Sequence, residues 1–247
     1  MRGPLWACAA VAAMSLGTAF AVPALAQDVN GAPNPDVNAG DASVSLRLAY
    51  IPASGGAPYG FAEQLAFQKS LSGKWSVRAS VQHGTRGGGD FSFRAAQVDG
   101  LYQFAEDQDV GWDGSILVAV RMPDEGDGPG RAGGAFAAKV MLDDRWEVRG
   151  VVFAGGEFGL NARNGMTLGT RLEATRDIGA LVRVGALLVD GYNTTAHFGG
   201  FNEQSHQLGV VLKGFLSRAI SYNAGATFGI SEAAAASEFR LFLFYAL

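Results

Sequence analysis

The chain has 247 residues, enough for one barrel or for one to two soluble domains. Its net charge is −4 and charged residues make up only 17%, which excludes a basic nucleic-acid-binding surface and a long acidic disordered tail. The 35 glycines follow no collagen-like period, and beyond residue 26 no run approaches the roughly 18–20 apolar residues of a spanning helix.

Residues 1–26 read as a signal peptide. Arg2 supplies the positive charge, Leu5 to Val22 the apolar stretch, and Ala24-Leu25-Ala26 an A-x-A cleavage site before Gln27. Cys8 lies inside this segment and is the only cysteine. A chain cleaved there holds no thiol, so disulfides, thiolate metal sites and a cysteine nucleophile are excluded. Residues 27–41 (QDVNGAPNPDVNAGD) are polar, rich in Pro, Gly and Asn, and without period. They are expected to form a flexible periplasmic arm.

From residue 42 to the end one pattern recurs: about 10 to 13 residues that alternate apolar with polar, then a turn. Period two puts the two sets on opposite faces of a strand. In 42–51, Val44, Leu46, Leu48 and Tyr50 oppose Ser43, Ser45 and Arg47. In 74–83, Trp75, Val77, Ala79 and Val81 oppose Ser76, Arg78, Ser80 and Gln82. Further strands are expected at 60–70, 92–105, 112–122, 132–142, 145–156, 164–175, 179–190, 205–216, 220–230 and 237–247. The count is twelve.

The connections alternate in length. Ser72-Gly73, Asp143-Asp144, Arg176 to Gly179 and Ser217-Arg218 are tight, with a somewhat longer Glu106 to Gly111. The set 52–59, 84–90, 123–131, 157–163 and 191–204 is longer and rich in Gly, Pro and acid. Short turns on one rim and long loops on the other are what bacterial outer-membrane barrels show, and an even strand number leaves both termini on the short-turn, periplasmic side. Large aromatics of the apolar set fall at the short-turn strand ends: Trp75, Phe104, Trp112, Trp146, Tyr222 and Tyr245. Rings at one height suit a membrane–water interface. A looser set, Tyr50, Phe61, Phe228 and Phe239, marks the other end.

The last segment, Phe239-Arg240-Leu241-Phe242-Leu243-Phe244-Tyr245-Ala246-Leu247, resembles the C-terminal targeting signal of outer-membrane barrel proteins, although those usually end in an aromatic rather than a Leu. The resemblance covers 42–247 in pattern and implies a transmembrane, antiparallel, up-and-down β-barrel. It also implies an outer-membrane location, contact with lipid and lipopolysaccharide, and handling by the barrel-assembly machinery through the C-terminal strand.

The outward set is nearly free of charge, as lipid requires, except for Glu63, Lys69 and Arg94 near strand ends. A bulge around Ala95-Ala96 would turn Arg94 aside. By parity the inward bases are Arg47, Arg78, Arg121, Lys139, Arg149, Arg171, Arg183, Lys213 and Arg240; the inward acids are Asp99, Asp113, Glu147, Glu173 and Glu238. Of these, Arg47, Arg78, Lys139, Arg171, Arg183 and Arg240 are expected near mid-barrel, with Asp99 as the only acid. Fixed positive charge in a low-dielectric wall concentrates anions.

The expected function is therefore a narrow diffusion channel for small anionic solutes. As such it is similar to the twelve-stranded porins for acidic oligosaccharides, whose lumens carry Arg and Lys. A closed barrel acting structurally or as a receptor through its loops is the alternative, since inward charges in small barrels often pair into braces. A third reading follows the twelve-stranded outer-membrane phospholipases, which use an outward Ser/His pair with an Asn to orient the His. The three histidines here are His83, His197 and His206, and the neighbouring Ser205 points to the opposite face from His206. No catalytic residue, cofactor or metal site is assigned; the histidines are too scattered for a metal spacing. The loop 191–204, with Tyr192, His197, Phe198 and Phe201, suits rim capping or recognition of a sugar. The acidic stretch Asp124, Glu125, Asp127 suits a solvated loop or a divalent cation.

Overall fold

Alternation with period two can be satisfied in lipid only if every strand edge finds a partner, and this chain satisfies it by closing on itself. In the computed structural model, which describes residues 34–54, 58–85, 89–107, 111–124 and 128–247, twelve antiparallel strands form one closed barrel. They are β1 Ala42–Ile51, β2 Gly60–Ser70, β3 Trp75–Gly84, β4 Ser92–Ala105, β5 Asp113–Pro123 and β6 Gly130–Met141. The second half comprises β7 Trp146–Phe158, β8 Met166–Gly179, β9 Val182–Thr194, β10 Ser205–Phe215, β11 Ile220–Gly229 and β12 Ser237–Ala246. Each strand pairs with its sequence neighbours. The seam joins β1 to β12 from Ser43↔Ala246 to Tyr50↔Phe239, with Leu247 N–H donating to Ala42 O at its end. No helix among the described residues is long and apolar enough to cross a membrane.

Three of the short turns share one device. Ser72 Oγ, Asp143 Oδ1 and Ser217 Oγ each accept the backbone N–H groups two and three residues on, ending at Trp75, Trp146 and Ile220. A short side-chain acceptor thus replaces part of the lost ladder, which is why Ser and Asp stand there. At Asp143 the N–H groups of Arg145 and Trp146 also hold the carboxyl below the usual range.

Two boundaries differ most from expectation. β8 runs on through Arg176–Gly179, so the turn is Ala180-Leu181 and not Arg176 to Gly179; a register shift at Asp177/Gly179 lets the strand continue. β9 likewise extends to Thr194, which shortens the following loop. The expected bulge in β4 sits at Arg94, which is skipped between Gln82↔Ala95 and His83↔Phe93, and Arg94 Nε donates to Gly84 O.

Exposure is the reverse of that in a water-soluble globule. Outward Val98, Ile116, Val118, Val120, Leu208 and Val210 are exposed, whereas inward Arg47, Asp99, Glu147, Glu173, Glu238 and Arg240 are buried. The six aromatics lie at or near the short-turn ends of their strands; there Trp75 contacts Tyr102 (ring centroids 4.7 Å apart) and Phe104 meets Trp112 edge-on at 5.8 Å. Outward Lys69 reaches Gly40 O at that rim, and Glu63 faces His83 toward the other.

The leader expected over 1–26 and the arm as far as residue 33 lie outside the described residues. The described end of the arm, 34–41, lies against the barrel wall. Pro35 and Val37 are buried, Val37 N–H donates to Gln103 Oε1 (2.7 Å), and Asp36 Oδ2 lies 2.5 Å from Lys139 Nζ. A composition without period says nothing of docking, because contacts to a distant wall leave no local pattern.

Candidate functional site: the barrel interior

A cavity of about 560 Å³ occupies the short-turn end of the barrel. Five bases line it, Arg47, Arg78, Arg149, Arg183 and Lys213, with five acids, Asp36, Asp41, Asp99, Glu147 and Asp177. Asn34, Asp36 and Asn38 of the arm form part of its wall.

The strands bring the charges together in a definite order. Arg78 of β3 donates through Nε to Asp99 Oδ2 of β4 at 2.6 Å, opposite it in the register, and Gln97 Nε2 donates to the other carboxylate oxygen. Glu147 of β7 lies between two guanidinium groups: its Oε1 is 2.5 Å from Arg149 Nε and its Oε2 accepts from Arg183 Nη1 at 2.5 Å. Arg183 also donates through Nε to Asp177 at 2.6 Å, and Lys213 to Glu173. Arg240 Nε donates to Glu238 Oε1 at 2.7 Å. Paired, hydrogen-bonded charge is the form in which charge tolerates burial in a low-dielectric wall.

Of the seven residues expected to form the mid-barrel belt, Arg47, Arg78, Arg183 and Asp99 line the cavity, whereas Lys139, Arg171 and Arg240 are not among its lining residues. Lys139 and Arg183 are not at mid-barrel. They sit near the short-turn ends of β6 and β9, Lys139 third from the end and Arg183 second from the start, because β6 ends at Met141 and β9 begins at Val182 rather than at 179. Nor is Asp99 the only acid among the belt residues: Asp113 and Asp36 meet Lys139, and Glu238 meets Arg240. Arg171 lies over the Phe153 ring at 5.0 Å, and that ring fits because residue 169 is Gly; a Cβ there would sit 2.0 Å from Phe153 Cζ.

Several contributors escaped the sequence reading. Phe242 and Phe244 face inward, and the Arg47 guanidinium lies over both, at 5.4 and 5.7 Å from the centroids. Their parity with Arg240 was the available signal, hidden because 241–245 is apolar on both faces. Asp36 carried no signal at all.

The loop-end groups form a separate cluster toward the long-loop rim. His206 Nδ1 meets Asp190 Oδ1 at 2.7 Å, its Nε2 meets Gln204 Oε1 at 2.9 Å, and its ring stacks on Phe201 at 4.4 Å. Asp190 also accepts from Thr170, and Ser231 Oγ donates to Gln204 O, so loop 195–204 is fastened to the wall and to loop 230–236. His83 packs against Phe91 and Phe93. Glu125 and Asp127 lie outside the described residues. No group of three or more His, Cys, Asp or Glu able to hold a metal occurs among the described residues.

No family model matches the chain, and no curated protein matches it. Solved structures do. An outer-membrane channel of Pseudomonas putida F1 aligns with a TM-score of 0.62 at 9% identity, covering 90% of this chain and 99% of that one. KdgM porin aligns with a TM-score of 0.59 at 10% identity, over 83% of this chain and 99% of its own. NanC porin aligns with a TM-score of 0.57 at 13% identity, over 83% and 100%. With twelve strands closed into one antiparallel barrel, the chain has the fold of these bacterial outer-membrane porins.

Proposed function

We propose that this protein is a narrow outer-membrane channel for small anionic solutes, acidic sugars among them. The observation that carries the reading is the cavity of about 560 Å³ inside the barrel, walled by Arg47, Arg78, Arg149, Arg183 and Lys213. An anion passing these groups exchanges hydration for oriented N–H donors, while the low-dielectric wall lengthens the reach of each charge. Acids beside the bases keep the guanidinium groups in place and leave weak, multiple contacts, which a solute needs in order to leave again. KdgM porin, which shares the fold, is also known in a solved structure in complex with disordered oligogalacturonate.

In this reading the leader over 1–26 is removed, the short-turn rim and both termini are periplasmic, and β12 is the strand read by the barrel-assembly machinery. The rim aromatics Trp75, Phe104, Trp112, Trp146, Tyr222 and Tyr245 sit at the lipid interface. A closed, purely structural barrel would use the same ion pairs as braces, but braces alone do not call for a cavity of this size among them. The hydrolase reading draws no support: the similar folds are porins and channels, and His206 Nε2, the atom that would activate a hydroxyl, is taken by Gln204.

Planar-bilayer recording tests the proposal. Ohmic conductance is expected, with a reversal potential of anionic sign in a salt gradient, and a smaller anion preference when Arg78→Ala and Arg183→Ala are combined. No conductance from the refolded chain, nor from one lacking residues 34–38, retires the reading.

A further inference from the structure

The arm's Asp36 reaches the wall as a carboxylate, the chemical group that an acidic solute would bring. Its Oδ2 lies 2.5 Å from Lys139 Nζ, and the same ammonium group is 2.8 Å from Asp113 Oδ2. Asp113 is held in turn: its Oδ1 accepts from Gln103 Nε2 and from Asp107 N–H. Gln103 accepts from Val37 N–H, so wall and arm meet through one connected network. Pro35 is among the most deeply buried side chains, and Val37 is 7% exposed.

Two features mark this docking as exchangeable. Asp36 Oδ1 is buried with no hydrogen-bond partner among the described residues, so half of the carboxylate is left unsatisfied by them. Lys139 keeps Asp113 when the arm leaves, so withdrawal leaves no unpaired cation in the wall. Charge points the same way. With the arm in place the cavity lining balances, five bases to five acids, and Asp36 is one of those acids.

Building on the channel reading, we propose that residues 34–38 are a tethered ligand of the channel's own lumen. Asp36 occupies, on Lys139, a subsite for a solute carboxylate, and a carboxylate solute displaces the arm and frees the short-turn mouth. The arm thereby both narrows the mouth and cancels part of its attraction for anions. Neutral sugars, with no carboxylate to offer Lys139, leave it in place.

The test reads the arm by thiol labelling and the channel by conductance. The full chain carries Cys8→Ser, so that Pro35→Cys supplies the only thiol, and it is exported and labelled with a maleimide in the folded barrel. Labelling is expected to be at least tenfold slower than at Asn38→Cys, which is exposed. Losing one charge-assisted hydrogen bond should speed it roughly tenfold in the Asp36→Asn background and in Lys139→Gln. The first of these leaves the wall untouched and serves if the second fails to fold. Millimolar glucuronate should speed labelling and glucose should not. Deleting residues 34–38 should raise conductance and anion preference. Fast labelling at position 35 that is indifferent to Asp36 and Lys139 overturns the proposal whatever the conductance. Protection unaffected by glucuronate overturns the carboxylate subsite, and unchanged conductance after deletion overturns the gate. Protection that depends on Asp36, in a barrel that conducts neither with nor without the arm, supports the docking and sinks the channel reading instead.

Discussion

Single residues in this wall are held by partners on neighbouring strands. Asp99 is 3% exposed, and its charge is met by Arg78 Nε on one oxygen and Gln97 on the other. Removing only Arg78 strands a buried carboxylate. Arg78→Ala is therefore expected to cost about 3–5 kcal/mol of barrel stability, and the double change Arg78→Ala with Asp99→Ala clearly less. Denaturant unfolding of the barrel measures both; equal losses would show that the pair is not coupled. Asp143 offers a residue-scale test in the turn. Its carboxyl is held below the ordinary value of 3.8, so the stability it contributes is complete above that pH and is lost as pH falls through its lower, folded value. Asp143→Ser, the residue that the sister turns use at Ser72 and Ser217, should remove that acid-side dependence while keeping the turn. Unfolding curves at pH 7 and near pH 3 decide it.

The faces of each strand were legible from sequence, because alternation is a covalent property of an extended chain. Arg47 faces in and Leu46 faces out whatever the neighbours are. This gives a test that separates lipid from water. Val118 is sixth of the eleven residues of β5 and 57% exposed on the outer wall. Val118→Arg is expected to cost about 2–4 kcal/mol in a lipid-folded barrel, whereas an exposed Val→Arg facing water would cost next to nothing. Folding titrations in vesicles measure it. Element ends were less legible. β8 passes through Asp177 and Gly179 by a register shift, and Arg94 is the skipped residue of the β4 bulge opposite Gln82 and His83. Such irregularities belong to the pairing of two strands, so one strand's sequence shows them only as a parity conflict, as Arg94 did.

At the scale of the whole barrel, fixed charges from many strands act as one field on whatever enters the cavity. Their reach is set by ionic strength, about 10 Å at 0.1 M and about 3 Å at 1 M. Anion preference should accordingly fade when the same tenfold salt gradient is moved from dilute to concentrated salt. Reversal potentials in the two regimes check this, and an unchanged preference would assign selectivity to fit rather than charge. By itself the sequence determined the twelve strands, the alternation of short turns with long loops, and the side of the wall on which most of the charges lie, since all three depend on local spacing. Tertiary structure alone decided that Lys139 meets Asp36, that Arg183 stands beside Glu147, and that a patternless arm lies inside the mouth. These depend on the stagger of the closed sheet, which sets residues far apart in sequence level with one another, and no local period encodes that stagger.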